Sequence, residues 1–113
     1  MDERLPVVKG TVDLLVLKAL SWTPMHGFEV TSWMEDRSDG ALEFDDSAIY
    51  QALYRLEKQG LVTAEWGVTE NNRKARYYRI ARAGREHLAA GTDRLLRYSR
   101  LVAAILTAAP QAA

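Results

Sequence analysis

Ser47-Ala48-Ile49-Tyr50-Gln51-Ala52-Leu53-Tyr54-Arg55-Leu56-Glu57-Lys58 separates at helical spacing into two unlike faces. Ile49, Ala52, Leu53 and Leu56 fall at i, i+3, i+4 and i+7 and make one apolar stripe. Ser47, Gln51, Tyr54, Arg55 and Lys58 fall on the opposite side, and Tyr50 joins them as a candidate contact residue. Carboxamide, guanidinium, ammonium and phenol groups can hydrogen-bond base edges and phosphates. The same face can equally be the ordinary solvated side of an amphipathic helix. Asp45 or Asp46 can cap the helix start, and Gly60 can end it.

The charge distribution bears on that choice. The 113-residue chain is formally neutral, which by itself argues against a nucleic-acid partner. Residues 1–46, however, hold four Lys/Arg against ten Asp/Glu, a net −6. Residues 47–85 hold eight against three, a net +5, and residues 86–113 carry a net +1. A neutral chain with one basic segment has an electrostatic footprint on one side. The length fits one domain, and 48% hydrophobic residues allow a real core. There is no cysteine, so disulfides and cysteine metal sites are excluded and a reducing cytoplasm is allowed. No apolar run reaches the roughly 18 residues of a membrane span. The start of the chain, with Asp2 and Glu3 and no apolar segment, does not read as a secretory signal.

Upstream, Thr11 can cap a first helix with Asp13 in its first turn. Val12, Leu15, Val16, Ala19 and Leu20 form one stripe on it, and Leu14 and Leu17 form a second. A helix apolar on nearly every side must be buried on nearly every side. Either it is central to a monomer's core, or a second subunit covers part of it. Thr23-Pro24 ends this helix. Met25-His26-Gly27-Phe28 is expected to open a second helix running to about Ser38, and Leu42-Glu43-Phe44 could be a very short strand.

Downstream, Leu61–Val68 and Arg76–Ile80 are rich in β-formers and flank a polar segment, Thr69–Ala75, which reads as a β-hairpin. Its tip region holds Asn72, Arg73 and Lys74, with Arg76 on the return strand. These cations can bind phosphate or can guard a sheet edge against aggregation. From about Arg82 to Ala109 the pattern is helical again. Leu88, Thr92, Leu95, Ser99, Val102, Leu106 and Ala109 alternate spacings of four and three in a heptad-like seam. Such a helix is about 39 Å long, whereas a body of about 75 residues has a radius of gyration near 11 Å. It should project, and a second copy is the simplest partner for its apolar surface.

Catalytic and metal chemistry find no support. His26 and His87 are the only histidines, and neither stands at ligand spacing to another. No Gly-rich loop resembles a phosphate cradle, and Ser47 lacks a plausible His–Asp pair. No cofactor or metal is expected. Trp22, Trp33 and Trp66 read as core or interface aromatics, with a ligand pocket as an alternative. The order helix, helix, polar-faced helix, basic hairpin is that of a winged helix-turn-helix. In that fold the third helix enters the major groove and the hairpin, or wing, touches the backbone or minor groove.

Leu14-Leu15-Val16-Leu17, Pro24-Met25-His26-Gly27-Phe28, Ile49–Glu57, Gly60-Leu61-Val62 and Arg76-Tyr77-Tyr78-Arg79-Ile80 resemble the PadR family of bacterial transcriptional regulators in one register. Gly84 stands where that family has a glycine opening its last helix. The resemblance implies a mainly α fold with a small β-hairpin, in which residues 1–81 form a winged-helix DNA-binding domain and 82–113 a C-terminal dimerisation helix. It implies a homodimeric, cytoplasmic repressor of transcription joined through the last helix and the first. Leu14, Leu17, Leu88, Leu95, Val102 and Leu106 are then the interface candidates. Some members bind small aromatic or drug-like effectors between the subunits. Gln51 replaces the family's frequent proline, which frees a backbone N–H and adds a side chain able to reach adenine. The alternative is a winged-helix module that binds protein and not DNA, for which the acidic residues 1–46 speak.

Overall fold

A computed structural model describes residues 3–8 and 10–111. Along the chain run β1 (Leu5–Pro6), α1 (Val12–Leu20), β2 (Met25–His26), α2 (Gly27–Arg37) and β3 (Leu42–Glu43). They are followed by α3 (Asp46–Lys58), β4 (Val62–Val68), β5 (Lys74–Ile80) and α4 (Arg82–Leu106). This is a mainly α winged helix with a small antiparallel sheet. α3 forms where the two-faced pattern requires it. Ile49, Ala52, Leu53 and Leu56 are all buried. Asp45 caps the helix by accepting from the Ser47 N–H at 3.0 Å. Gly60, at φ +75°, turns the chain out in the left-handed conformation that favours glycine.

The core joins that stripe to Val16, Leu17, Ala19 and Leu20 of α1, to Val30 and Met34 of α2, and to Leu61, Val62, Tyr78 and Ile80 of the hairpin. α1 therefore finds most of its burial inside its own chain. Leu17, an expected seam residue, is 0% exposed and faces the core, so it has no surface to offer a partner.

One region departs from the sequence reading. Met25 and His26 do not open α2. They form β2, which pairs antiparallel with β5 (Met25 opposite Tyr78, His26 opposite Tyr77), giving the order β2-β5-β4. The cause is the cap of α2. His26 has extended backbone, its Nδ1 accepts from the Glu29 N–H at 3.3 Å, and its own N–H donates to the Glu29 carboxylate at 3.1 Å. This reciprocal capping box keeps the preceding residue out of the helix and free to pair. Leu42–Glu43 is the short strand expected there, and its parallel partner is Leu5–Pro6.

α4 begins at Arg82 without a side-chain cap at Ala81. What seats it is Gly84, where a Cβ would run into the carbonyl oxygen of Leu61. Gly91, two turns further along, lies against the Leu14 side chain. After these points the helix leaves the body, with Leu96, Leu101, Ile105 and Leu106 exposed. The radius of gyration is 16.9 Å, against about 13 Å for a compact chain of this length.

Candidate nucleic-acid interface

The outer face of α3 collects five of the residues singled out in the sequence. Ser47, Tyr50, Gln51, Tyr54 and Arg55 line one shallow surface hollow, and all five are exposed. Gln51 Nε2 donates to Ser47 Oγ at 3.4 Å, one helical turn back. The Tyr50 ring lies over Gly27, where any Cβ would collide with it. Lys58 Nζ sits 5.1 Å from the centre of the Tyr54 ring.

Both flanks of α3 are fixed by ion pairs. On one side Arg55 reaches α1, with Nη2 2.6 Å from Asp13 Oδ1 and Nε 3.4 Å from Asp13 Oδ2. The hydrogen bond to Asp13 raises the Arg55 pKa. On the other side Glu57 accepts two bonds from Arg76 of β5, at 3.1 and 2.9 Å. That bidentate bond raises the Arg76 pKa. Arg76, a candidate DNA-binding residue in the sequence, ties the wing to α3 with its side chain partly exposed.

The wing is a regular ladder from Val62 opposite Ile80 to Val68 opposite Lys74. Its tip closes through Thr69 N–H to Arg73 O at 2.8 Å and Asn72 N–H to Thr69 O at 2.9 Å. Asn72 takes φ +61° there, a conformation asparagine tolerates. Asn72, Arg73 and Lys74 are exposed. Among the described residues, Arg73, Lys74 and Lys58 have no carboxylate within 4.0 Å. The fold therefore carries the polar hollow of α3 and a hairpin whose tip cations have no carboxylate partner among the described residues on two elements joined by the Arg76–Glu57 ion pair.

Residues 16–90 match the transcriptional regulator PadR-like family. The chain belongs to that family. Solved structures agree with the PadR fold described above. A candidate transcriptional regulator from Thermoplasma acidophilum is 28% identical, at a TM-score of 0.72, over 89% of this chain and 95% of that one. A Streptococcus mutans protein is 20% identical, with a TM-score of 0.80 over 98% of this chain and 100% of its own. Bacillus subtilis PadR in complex with operator DNA is 18% identical, at 0.65, over 73% of this chain and 46% of that one. A curated relative, an uncharacterized protein from Lysinibacillus sphaericus, is 25% identical over 75% of this chain and 78% of its own length.

The second surface of interest in this PadR-like chain is the side of α4 that faces α1. Leu14, Leu15, Leu88, Leu95 and Leu96 line an open groove of about 630 Å³ there. Of the interface candidates, Leu14, Leu88, Leu95 and Val102 are half-buried and Leu106 is exposed. None of the tryptophans lines this groove. Trp22 and Trp33 flank the Arg37 guanidinium, each 5.0 Å from it, and Trp66 is 68% exposed on the wing. Among the described residues no cluster of His, Asp or Glu could hold a metal ion, and no helix is long and apolar enough to cross a membrane.

Sequence reasoning missed Gly27, Asp13 and Glu57 as supports of the α3 surface. Gly27 lies within the matched residues 16–90, but its use as a floor for Tyr50 has no local signature. Asp13 and Arg55 are 42 positions apart, and no periodicity links them.

Proposed function

We propose that this chain is a sequence-specific, double-stranded-DNA-binding transcriptional regulator, most simply a cytoplasmic repressor acting as a homodimer. The observation that carries this reading is the exposed polar face of α3, joined through Glu57 and Arg76 to a wing whose tip cations have no carboxylate partner among the described residues. In this assignment Gln51 and Arg55 read base edges, with Ser47, Tyr50 and Tyr54 around them. Lys58, Asn72, Arg73 and Lys74 meet phosphates. Arg76 assists from the wing strand, where its bond to Glu57 also holds the wing in place. The fold shared with the Bacillus subtilis PadR–operator complex supports the assignment.

Residues 1–81 are assigned to DNA binding and 82–113 to dimerisation, through the exposed stripe of α4 and the α1–α4 groove. That groove is also where an apolar aromatic effector would act, by favouring one spacing of the two recognition helices. Selection of bound duplexes from a random-sequence pool tests the central claim. A recovered consensus of two half-sites about one helical turn apart is the expected result. Recovery of unenriched sequence, together with weak and unspecific retention, would favour the protein-binding alternative that the net −6 of residues 1–46 supports.

A further inference from the structure

We propose that Asp13 is a positioning residue that holds Arg55 in the geometry for reading guanine and keeps it off the phosphate backbone. This inference rests on the DNA-binding reading above and deepens it.

The argument starts from which edge of the guanidinium is used. Asp13 takes Nε and Nη2, the side edge of the fork. An arginine has five N–H donors in one plane. With two engaged at the side, the end edge formed by Nη1 and the second Nη2 proton remains available. Two parallel donors at that spacing are what the O6 and N7 of guanine accept. The carboxylate thus leaves the reading edge free while it removes rotational freedom from a long side chain.

The position of Asp13 supports the role. It sits in the first turn of α1, where the helix dipole favours a negative charge. α1 supplies four buried residues to the core, so the carboxylate is carried on a rigid element. Arg55 leaves α3 on the flank facing α1, with its side chain 49% exposed. An unrestrained arginine there could swing to the nearest phosphate, which carries no sequence information. The Asp13 charge opposes that swing in two ways: it holds the fork, and it repels phosphate from the same flank. A purely structural role explains less, because exposed pairs of this kind add little to folding.

The test uses the full chain and the duplex recovered by the wild type from a random pool, beside a scrambled duplex of equal length. Affinities are measured across a salt series for wild type, Asp13→Asn, Asp13→Glu, Arg55→Lys and the Asp13→Asn/Arg55→Lys double variant. Asp13→Asn should lower the selected-to-scrambled ratio about five-fold or more. It should also steepen the salt slope by about one as Arg55 moves to a phosphate. Asp13→Glu should recover part of the ratio. Lysine has no fork, so Arg55→Lys should lose the ratio alone, and adding Asp13→Asn to it should change the ratio little further. Reselection with Asp13→Asn should lose a guanine from the consensus.

An equal gain on both duplexes with the ratio intact would make Asp13 a repelling charge only and overturn the inference. So would independent, additive losses in the cycle. If Asp13→Asn failed to fold by thermal melting, Asp13→Glu and Arg55→Lys would still decide the matter. A pool that yields no consensus with the wild type removes the DNA-binding reading and this inference together. A clear consensus indifferent to residue 13 removes this inference alone.

Discussion

α3 and α4 are both two-faced helices, but their apolar faces meet different fates. The stripe of α3 is closed off inside the chain, with Ala52, Leu53 and Leu56 at 0% exposure. The stripe of α4 is closed off only where Gly84 and Gly91 let the helix approach Leu61 and Leu14. Beyond that, Leu106 of the same stripe is 78% exposed and Ile105 beside it 76%. A periodic apolar face says that a helix needs a partner. It does not say whether the partner is in the same chain. For α3 the neighbouring helices α1 and α2 supply it, so the stripe anchors the polar face on a fixed base. For the far half of α4 the described chain supplies nothing, and a second copy is the economical solution.

The comparison can be broken most directly at the centre of the α3 stripe. Leu53→Ala removes a fully buried side chain from a filled core, at a cost of about 2–5 kcal/mol out of a total stability of roughly 5–15 kcal/mol. Chemical denaturation should show the midpoint falling sharply, with the destabilisation present at every protein concentration. If instead it faded at high concentration, α3 would also depend on assembly, and the contrast with α4 would collapse.

The matching change on α4 is Ile105→Asp. Its site is open in the isolated chain, so the body should stay folded, while a seam that buried Ile105 would lose about 1.5–3 kcal/mol of burial. Sedimentation should show wild-type dimer and variant monomer at the same micromolar concentration, with unchanged helical content. A wild-type monomer throughout that range would remove the seam.

The same distinction explains what can be read in advance. α3, the hairpin and α4 are legible because each is a single segment whose own periodicity and turn residues define it. β1 and β2 have two residues each, too few for any alternation, and the equally short β3 is legible only as a strand without a partner. Their pairing depends on distant partners such as Tyr77 and Tyr78. Leu17 reads as a seam residue because a helix apolar all round does not reveal which sides its own chain covers. At the candidate site, Gln51, Tyr54 and Arg55 are visible as one face. The roles of the flanking carboxylates Asp13 and Glu57 are not, since ion pairs across 42 and 19 positions are created by packing alone.

A finer test separates the two parts of the candidate site. Gln51 projects from the fixed base of α3 and can pair bidentately with adenine. Gln51→Ala should therefore cost about 1–3 kcal/mol on the selected duplex and little on a scrambled one. Fluorescence anisotropy on both duplexes reads the difference directly. Equal weakening on the two would assign Gln51 to the backbone and leave α3 without a demonstrated reader of adenine.

The smallest expected effect is at the wing, and it differs in kind. Arg73 and Lys74 stand at the end of a hairpin tethered to α3 through Arg76 and Glu57. Neither cation has a described carboxylate partner to orient it. Unoriented cations at a hairpin tip suit phosphates, which require charge and reach more than a fixed angle. Arg73→Ala with Lys74→Ala should then weaken selected and scrambled duplexes by the same factor. The salt slope should fall by about 0.9 for each phosphate that the variant no longer neutralises. The drop in affinity should be largest in low salt and shrink as salt rises, because what the cations contribute is counterion release. A salt series on both duplexes separates this from base reading. A change in the ratio between duplexes, with the slope unmoved, would make the wing a reader of sequence and reverse the division of roles between wing and helix.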